Sequence, residues 1–299
     1  MPRTVTVGFD GSPESRAAAD WAAHEARLRA LPVKILHVHE PVPRDPAPSC
    51  APETRHDRTH RDPAEDAAER LRTCHPGVEV TTDRVTGDPA TALAEAADGA
   101  ELLVLGSRGL GGLDGFLVGS VSLYVIAHTA RPVALIRAEE QPTGEHRRTS
   151  ARGSSAGAPF RPVVVGLDTG DPDAAVLDFA FDAAARRGTA LRVVHGWTEP
   201  PGTFRRFHGL ELHASLERRQ ATALTDALLP WQRKFPGIDV IATSRCGSAA
   251  QVLVNAARDA SLAVVGRRIR TSPLGAHIGH VTHAVLHHVA APVAVVAHD

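Results

Sequence analysis

The chain has 299 residues, 43% of them hydrophobic and 22% charged, with 33 basic and 34 acidic side chains and a formal net charge of −1. That length suits about two domains of ordinary globular composition, and the balanced charge gives no grip on nucleic acid or on an anionic membrane surface. No apolar run approaches the roughly 18–20 residues that span a bilayer and no charged-then-apolar leader opens the chain, so a cytoplasmic protein is expected.

The run ending in Val7-Gly8-Phe9-Asp10 predicts a strand near residues 3–9, and the alanine-rich stretch after it a helix near 13–30. A strand near 33–39 carries Leu36-His37-Val38. Pro41 to Asp62 is long and rich in Pro and His, and is expected to be disordered rather than a defined lid. A helix near 62–74, a strand near 78–85 and a helix near 89–98 follow. Asp88 is placed to cap the last of these, and Pro89 occupies a first turn where a missing N–H costs nothing. A strand near 101–106, a glycine-rich loop, a helix near 118–129 and a strand near 132–137 complete the unit.

The same series then recurs. Val165-Gly166-Leu167-Asp168 repeats Val7-Gly8-Phe9-Asp10, and Val193-Val194-His195 repeats Ile35-Leu36-His37 with the same offset. Two residues further out of step, Leu262 to Gly266 matches Leu102 to Gly106, and Pro292-Val293-Ala294 matches Pro132-Val133-Ala134. The last strand is expected near 292–297. Between the copies, Glu139 to Pro159 is rich in Gly, Ser, Thr, Arg and Pro, and reads as a flexible linker. The organisation expected is a domain over 1–138, a linker over 139–159 and a second domain over 160–299. Short β-branched runs alternating with amphipathic helices specify α/β domains, each a parallel sheet covered by helices. The apolar last strands, Val133 to Ile136 and Val293 to Val296, are candidate exposed edges that need cover.

In an open α/β sheet, ligands bind beyond the carboxyl ends of the strands, at the switch point. Asp10, Val38 and Gly106 converge there. From Gly106 the chain runs through Gly109, Gly111, Gly112 and Gly115 to Gly119-Ser120-Val121-Ser122. Its glycines remove Cβ atoms that would block a ligand, and the helix that follows favours an anion at its N-terminus. A phosphate chain suits this loop, with Asp10 across the crevice as acceptor for a ribose hydroxyl or an adenine amino group.

Gly106-x-x-Gly109, then nine residues, then Gly119-Ser120 resembles the nucleotide signature of the universal stress proteins, and Val7 to Ser12, Leu36-His37-Val38 and Ala130 to Val133 fit the same family. The resemblance covers both copies. It implies a doubly wound, Rossmann-like five-stranded parallel sheet with helices on both faces in each copy, similar to the adenine nucleotide alpha hydrolases. In the ATP-binding branch it further implies ATP with a divalent ion, Mg2+ or Mn2+. By that resemblance Asp10 and the Val38 backbone hold the adenosine part, while Gly106, Gly109, Gly119, Ser120, Val121 and Ser122 hold ribose and phosphates. The family's last strands mediate pairing, which implies an intramolecular pseudo-dimer and allows a homodimer.

The second copy departs from this pattern. Asp168, Gly266 and Gly279 align, but Ile269 stands for the second glycine, His280 for the serine and Thr282 for Ser122. Gly196 replaces Val38, a change without consequence if that contact is made by backbone. These residues are weak candidates, and little or no nucleotide binding is expected from this copy.

Other chemistry finds little support. Lys34 and Lys234 are the only lysines, which excludes a Walker A loop. Cys50, Cys74 and Cys246 are far apart without a CxxC, so neither a disulfide framework nor a thiolate zinc site is expected. His277, His280, His283 and His287 have helical spacing, yet no carboxylate or cysteine completes a metal site, and no metal ligand is assigned. The reading is an ATP-binding stress-response regulator that signals to a protein partner, with Pro41 to Asp62 and Leu110 to Phe116 as the moving parts. The alternatives are a weak ATPase, with Arg108 offsetting phosphoryl charge, and a ligand-free dimerising scaffold. No catalytic residue is assigned.

Overall fold

The computed structural model of the protein describes residues 3–41, 62–107, 118–138, 145, 159–199, 209–269 and 278–299. In the first copy, the strands are β1 (Thr4–Gly8), β2 (Val33–His39), β3 (Val80–Thr86), β4 (Ala100–Ser107) and β5 (Val133–Arg137). The helices are α1 (Pro13–Arg29), α2 (Pro63–Cys74), α3 (Pro89–Asp98) and α4 (Ser120–His128). The second copy repeats the order as β6 (Val163–Gly166), α5 (Ala174–Arg187), β7 (Leu191–Trp197), α6 (Gly209–Lys234), β8 (Val240–Cys246), α7 (Ala249–Ala256), β9 (Leu262–Arg268), α8 (His280–His288) and β10 (Val293–His298).

The two copies share one ten-stranded sheet in the order β3-β2-β1-β4-β5-β10-β9-β6-β7-β8. Pairing is parallel within each copy. It turns antiparallel only where β5 meets β10, with Leu135 opposite Val293 and Val133 opposite Val295. The last strands, expected to need cover, cover each other, as the pairing implied by the resemblance requires. Each satisfies the other's backbone groups at the centre of the sheet, and the edges are β3 and β8.

Strand residues alternate between two apolar layers. Val5, Val7, Ile35, Leu102, Val104, Val163, Val165 and Val264 face the layer packed by α1 and α5. Leu36, Leu103, Leu105, Val133, Val194, Val265 and Val293 face the other, which also holds Leu93, Val125, Leu253 and Val285 from α3, α4, α7 and α8. A row of fully buried alanines, Ala18, Ala19, Ala22, Ala23 and Ala26, lets α1 lie close to the sheet. Asp88 caps α3 as expected, its Oδ2 accepting from the Thr91 N–H at 2.9 Å.

Polar groups also join the copies. Arg137 donates to the Leu286 carbonyl at 2.9 Å, and Arg267 to the Thr129 carbonyl. Glu25 is buried between Arg29 of its own helix and Arg187 of α5. Glu145 lies inside the segment read as a flexible linker, yet it is only 6% exposed. It accepts from the Trp21 indole, and its carbonyl accepts from the Arg161 N–H at 2.8 Å. The rest of 139–158 lies outside the described residues, as do 42–61 of the Pro-rich stretch. No helix among the described residues is long and apolar enough to cross a membrane.

Candidate functional site

The order β2-β1-β4 places a switch point between β1 and β4, where the connections leave to opposite sides. A cleft of about 800 Å³ opens there, lined by Asp10, Val38, Gly106, Gly119, Ser120, Val121 and Ser122. These are all of the first-copy site residues expected from the sequence except Gly109. That residue, with Arg108 and 110–116, lies outside the described residues. Glu14, Glu40, Pro89 and Leu93 line the cleft as well; no motif marked them, because helix and strand packing brings them in.

Asp10 is exposed just beyond β1. Its Oδ1 accepts from the Ser12 amide at 3.0 Å and the Ser12 hydroxyl at 2.6 Å. Partial burial pushes the carboxyl up, but the hydrogen bonds from Ser12 and Ser15 outweigh that and hold it below its ordinary value. Asp10 is therefore an anion at neutral pH, fixed as an acceptor at the cleft rim. His37 fixes the floor: its Nδ1 donates to the Phe9 carbonyl at 2.7 Å. His195 does the same to Leu167 at 3.0 Å. The repeated histidine marked the repeat in the sequence, but its work is to tie β2 to the end of β1, directly before the aspartate.

The two glycines at the ends of the loop serve different ends. A Cβ on Gly106 would lie 2.7 Å from the backbone of Glu14, so this glycine lets α1 pass over β4. A Cβ on Gly119 would meet nothing within 4 Å. Gly119 is the N-cap of α4 and has no side chain to accept from the first-turn amides. By contrast α1, α2, α3 and α5 are closed by Ser12, Asp62, Asp88 and Asp173. The open amides of α4 meet the cleft at Ser120, Val121 and Ser122, where an anion can take the place of the missing cap.

The second copy has a crevice at the same place, in two parts of about 470 and 700 Å³ that share Asp168, His195, Gly196, Ala249 and His280. Gly266, Gly279 and Thr282 line the first part. Neither the volumes nor the helix starts separate the copies, since α8 also begins at an uncapped glycine, Gly279, on its crevice; the lining side chains differ. Thr282 spends its hydroxyl on the Gly266 carbonyl at 2.7 Å. A Cβ on Gly266 would lie 2.7 Å from the His298 ring, which is itself 3.5 Å from Asp173. Arg268 is paired with Asp171. Gly196, which stands for Val38, has a packing role: a Cβ there would lie 2.5 Å from the Ala249 Cα, because α7 packs directly onto β7. Among the described residues His280, His283 and His287 form no group of metal ligands with a carboxylate or cysteine.

A model of the universal stress protein family matches residues 1–137 and 159–297. The chain belongs to the universal stress protein family. Among its relatives, the universal stress protein Rv1996 of Mycobacterium tuberculosis is 30% identical, the alignment covering 97% of this chain and 94% of that one. Rv2005c of the same organism is 31% identical over 97% and 96% of the two chains. Among solved structures, a universal stress protein from Archaeoglobus fulgidus superposes with a TM-score of 0.63 at 17% identity, covering 98% of each chain, and so shares the fold. Both copies match the family, and the side chains that line their clefts differ.

Proposed function

We propose that this universal stress protein is an ATP-binding regulator whose nucleotide is held by the first domain, 1–138, while the second, 160–299, serves mainly as its structural partner across the linker 139–159. One observation carries the binding reading: the uncapped N-terminus of α4 at Gly119 opens onto the cleft whose far rim is Asp10. The first domain is favoured because the matching open end of α8 at Gly279 carries His280 where α4 has Ser120. Phosphates sit on the amides and hydroxyls of Ser120, Val121 and Ser122, with Gly106, Gly109 and Gly119 keeping the backbone close. Asp10 accepts from the ribose, and the Val38 backbone reads the adenine. Asp168, Gly266, Gly279, His280 and Thr282 keep the outline of a second site, with the Thr282 hydroxyl spent on the Gly266 carbonyl and the larger His280 in the place of Ser120.

The charged residues among the described lining of the first cleft are Asp10, Glu14 and Glu40, all acidic. A triphosphate there needs positive charge beyond one helix dipole, worth roughly half a charge. Mg2+ or Mn2+ on the phosphates fits that need, supplying positive charge that the described lining lacks. Hydrolysis of the nucleotide, in this reading, is at most slow. The protein acts in the cytoplasm, where nucleotide occupancy biases a surface that a protein partner reads. A second copy of the chain can join it as a homodimer.

The test is to purify the protein, denature it and identify any released nucleotide, then repeat with added ATP and Mg2+. Retained ATP supports the reading. A protein that carries no nucleotide and binds none contradicts it.

A further inference from the structure

At the β8 edge of the second copy, three side chains far apart in sequence come together. Glu199 follows β7, His213 lies in the first turns of α6, and Cys246 ends β8 beside Trp197. One ligand atom from each, a carboxylate oxygen, an imidazole nitrogen and a thiol sulfur, lies within 4.8 Å of the others. Among the described residues this is the one group of three or more His, Cys, Asp or Glu side chains so placed.

A second, independent observation concerns Glu199. Its side chain is 10% exposed, and its Oε1 contacts His213 Nδ1. Its other oxygen, Oε2, is buried with no hydrogen-bond partner. A buried carboxylate oxygen left unpaired is costly, and a cation is the partner that relieves it. Cys246 is a free, exposed thiol, so an ion can reach the group from solvent.

We propose that Glu199, His213 and Cys246 bind a zinc-class divalent ion. The donor set decides the class. Thiolate and imidazole together favour zinc and its neighbours over Mg2+ or Ca2+, which take oxygen alone. Three protein ligands leave a fourth position for water. One sulfur and two lighter donors around a tetrahedral zinc sit roughly 3.3–3.5 Å apart on bonds of about 2.0–2.3 Å, so a pair at the 4.8 Å limit closes by roughly 1.3–1.5 Å. On binding, the Cys246 thiol releases its proton to solvent, the proton between His213 Nδ1 and Glu199 passes to His213 Nε2 or to solvent, and the contact gives way to two bonds to the ion. The ion would pin the start of α6 to the ends of β7 and β8.

The probe is Co2+, added without nucleotide to untagged, chelator-stripped full-length protein. A cobalt–thiolate bond produces a charge-transfer absorption that histidines alone cannot. The expected result is that band, saturating at one ion per chain, displaced by Zn2+, absent in Cys246→Ser and retained in Cys74→Ser. His213→Ala should weaken cobalt binding at least about tenfold, and His283→Ala should leave it unchanged. Absence of the band, or its persistence in Cys246→Ser, overturns the proposal. Circular dichroism of each variant guards against misfolding. Because no nucleotide is present, neither result depends on the first-domain site.

Discussion

Arg187 of α5 donates to the Glu25 carboxylate of α1 at 2.6 Å, and the two side chains, from different copies, are 0% and 1% exposed. Burial pushes the Glu25 carboxyl up, but the charges of Arg187 and Arg29 prevail and bring it to about 2. Removing one partner strands a buried charge. Arg187→Ala should cost about 3–5 kcal/mol in urea denaturation, and replacing Glu25 and Arg187 together with apolar residues should cost much less. In the intact protein this pair's stabilisation is present above the ordinary glutamate range and is lost as pH falls from about 4.5 towards 2.

Glu145 behaves in the opposite sense. Burial pushes its carboxyl up to about 7 against the pull of Arg187 and the Trp21 hydrogen bond, and Glu25 adds to the rise. From about pH 4.5 to 7 the native carboxyl keeps a proton that the unfolded chain gives up, so stability falls as pH rises. Glu145→Gln keeps a neutral side chain throughout. The variant should match wild type near pH 4 and exceed it by about 3 kcal/mol above pH 7, measured by denaturation at each pH. A constant difference across that range would remove Glu145 as the source.

The two loop-end glycines separate stability from binding. Gly106→Ala sets a methyl against the Glu14 backbone and should cost about 1–3 kcal/mol through displacement of α1. Gly119→Ala meets open space and should cost about 1 kcal/mol or less. Only the second is expected to weaken ATP at least about tenfold without a matching loss of stability. Calorimetric titration alongside thermal melts reads both effects.

Ala30 closes α1 with φ at 52°, where the equivalent residue closing α5 is Gly188 at 57°. A left-handed conformation favours glycine over alanine. Ala30→Gly should therefore stabilise the protein by about 0.5–1 kcal/mol, the relief of strain exceeding the added entropy of the unfolded chain. A measured loss would mean that the Ala30 methyl contributes packing worth more than the strain.

Much of this architecture can be read from local signals. The strand and helix runs, the Asp88 cap, the tandem repeat and the convergence of Asp10, Val38 and Gly106 all follow from periodicity, capping chemistry and loop position. What escapes such reading depends on contacts between distant segments. Gly106 lines the cleft, and its second role, letting α1 lie across it, shows only in the fold. The packing of α7 upon Gly196 is likewise invisible in the sequence. Glu145 sits in a polar, Gly-rich stretch, and only the meeting of α1 with α5 gives it a buried place. Cys246 has no cysteine neighbour in the chain, and its companions Glu199 and His213 arrive through the pairing of β7 with β8 and the start of α6.

The central claim is that the fold is duplicated and the nucleotide site is not. Equilibrium dialysis of the full-length protein against ATP and Mg2+, for wild type and Asp10→Ala, measures it most directly. The expected result is one ATP per chain in wild type and almost none in Asp10→Ala. Two per chain in wild type, or half the binding surviving in Asp10→Ala, would contradict the claim and restore the second copy as a nucleotide site.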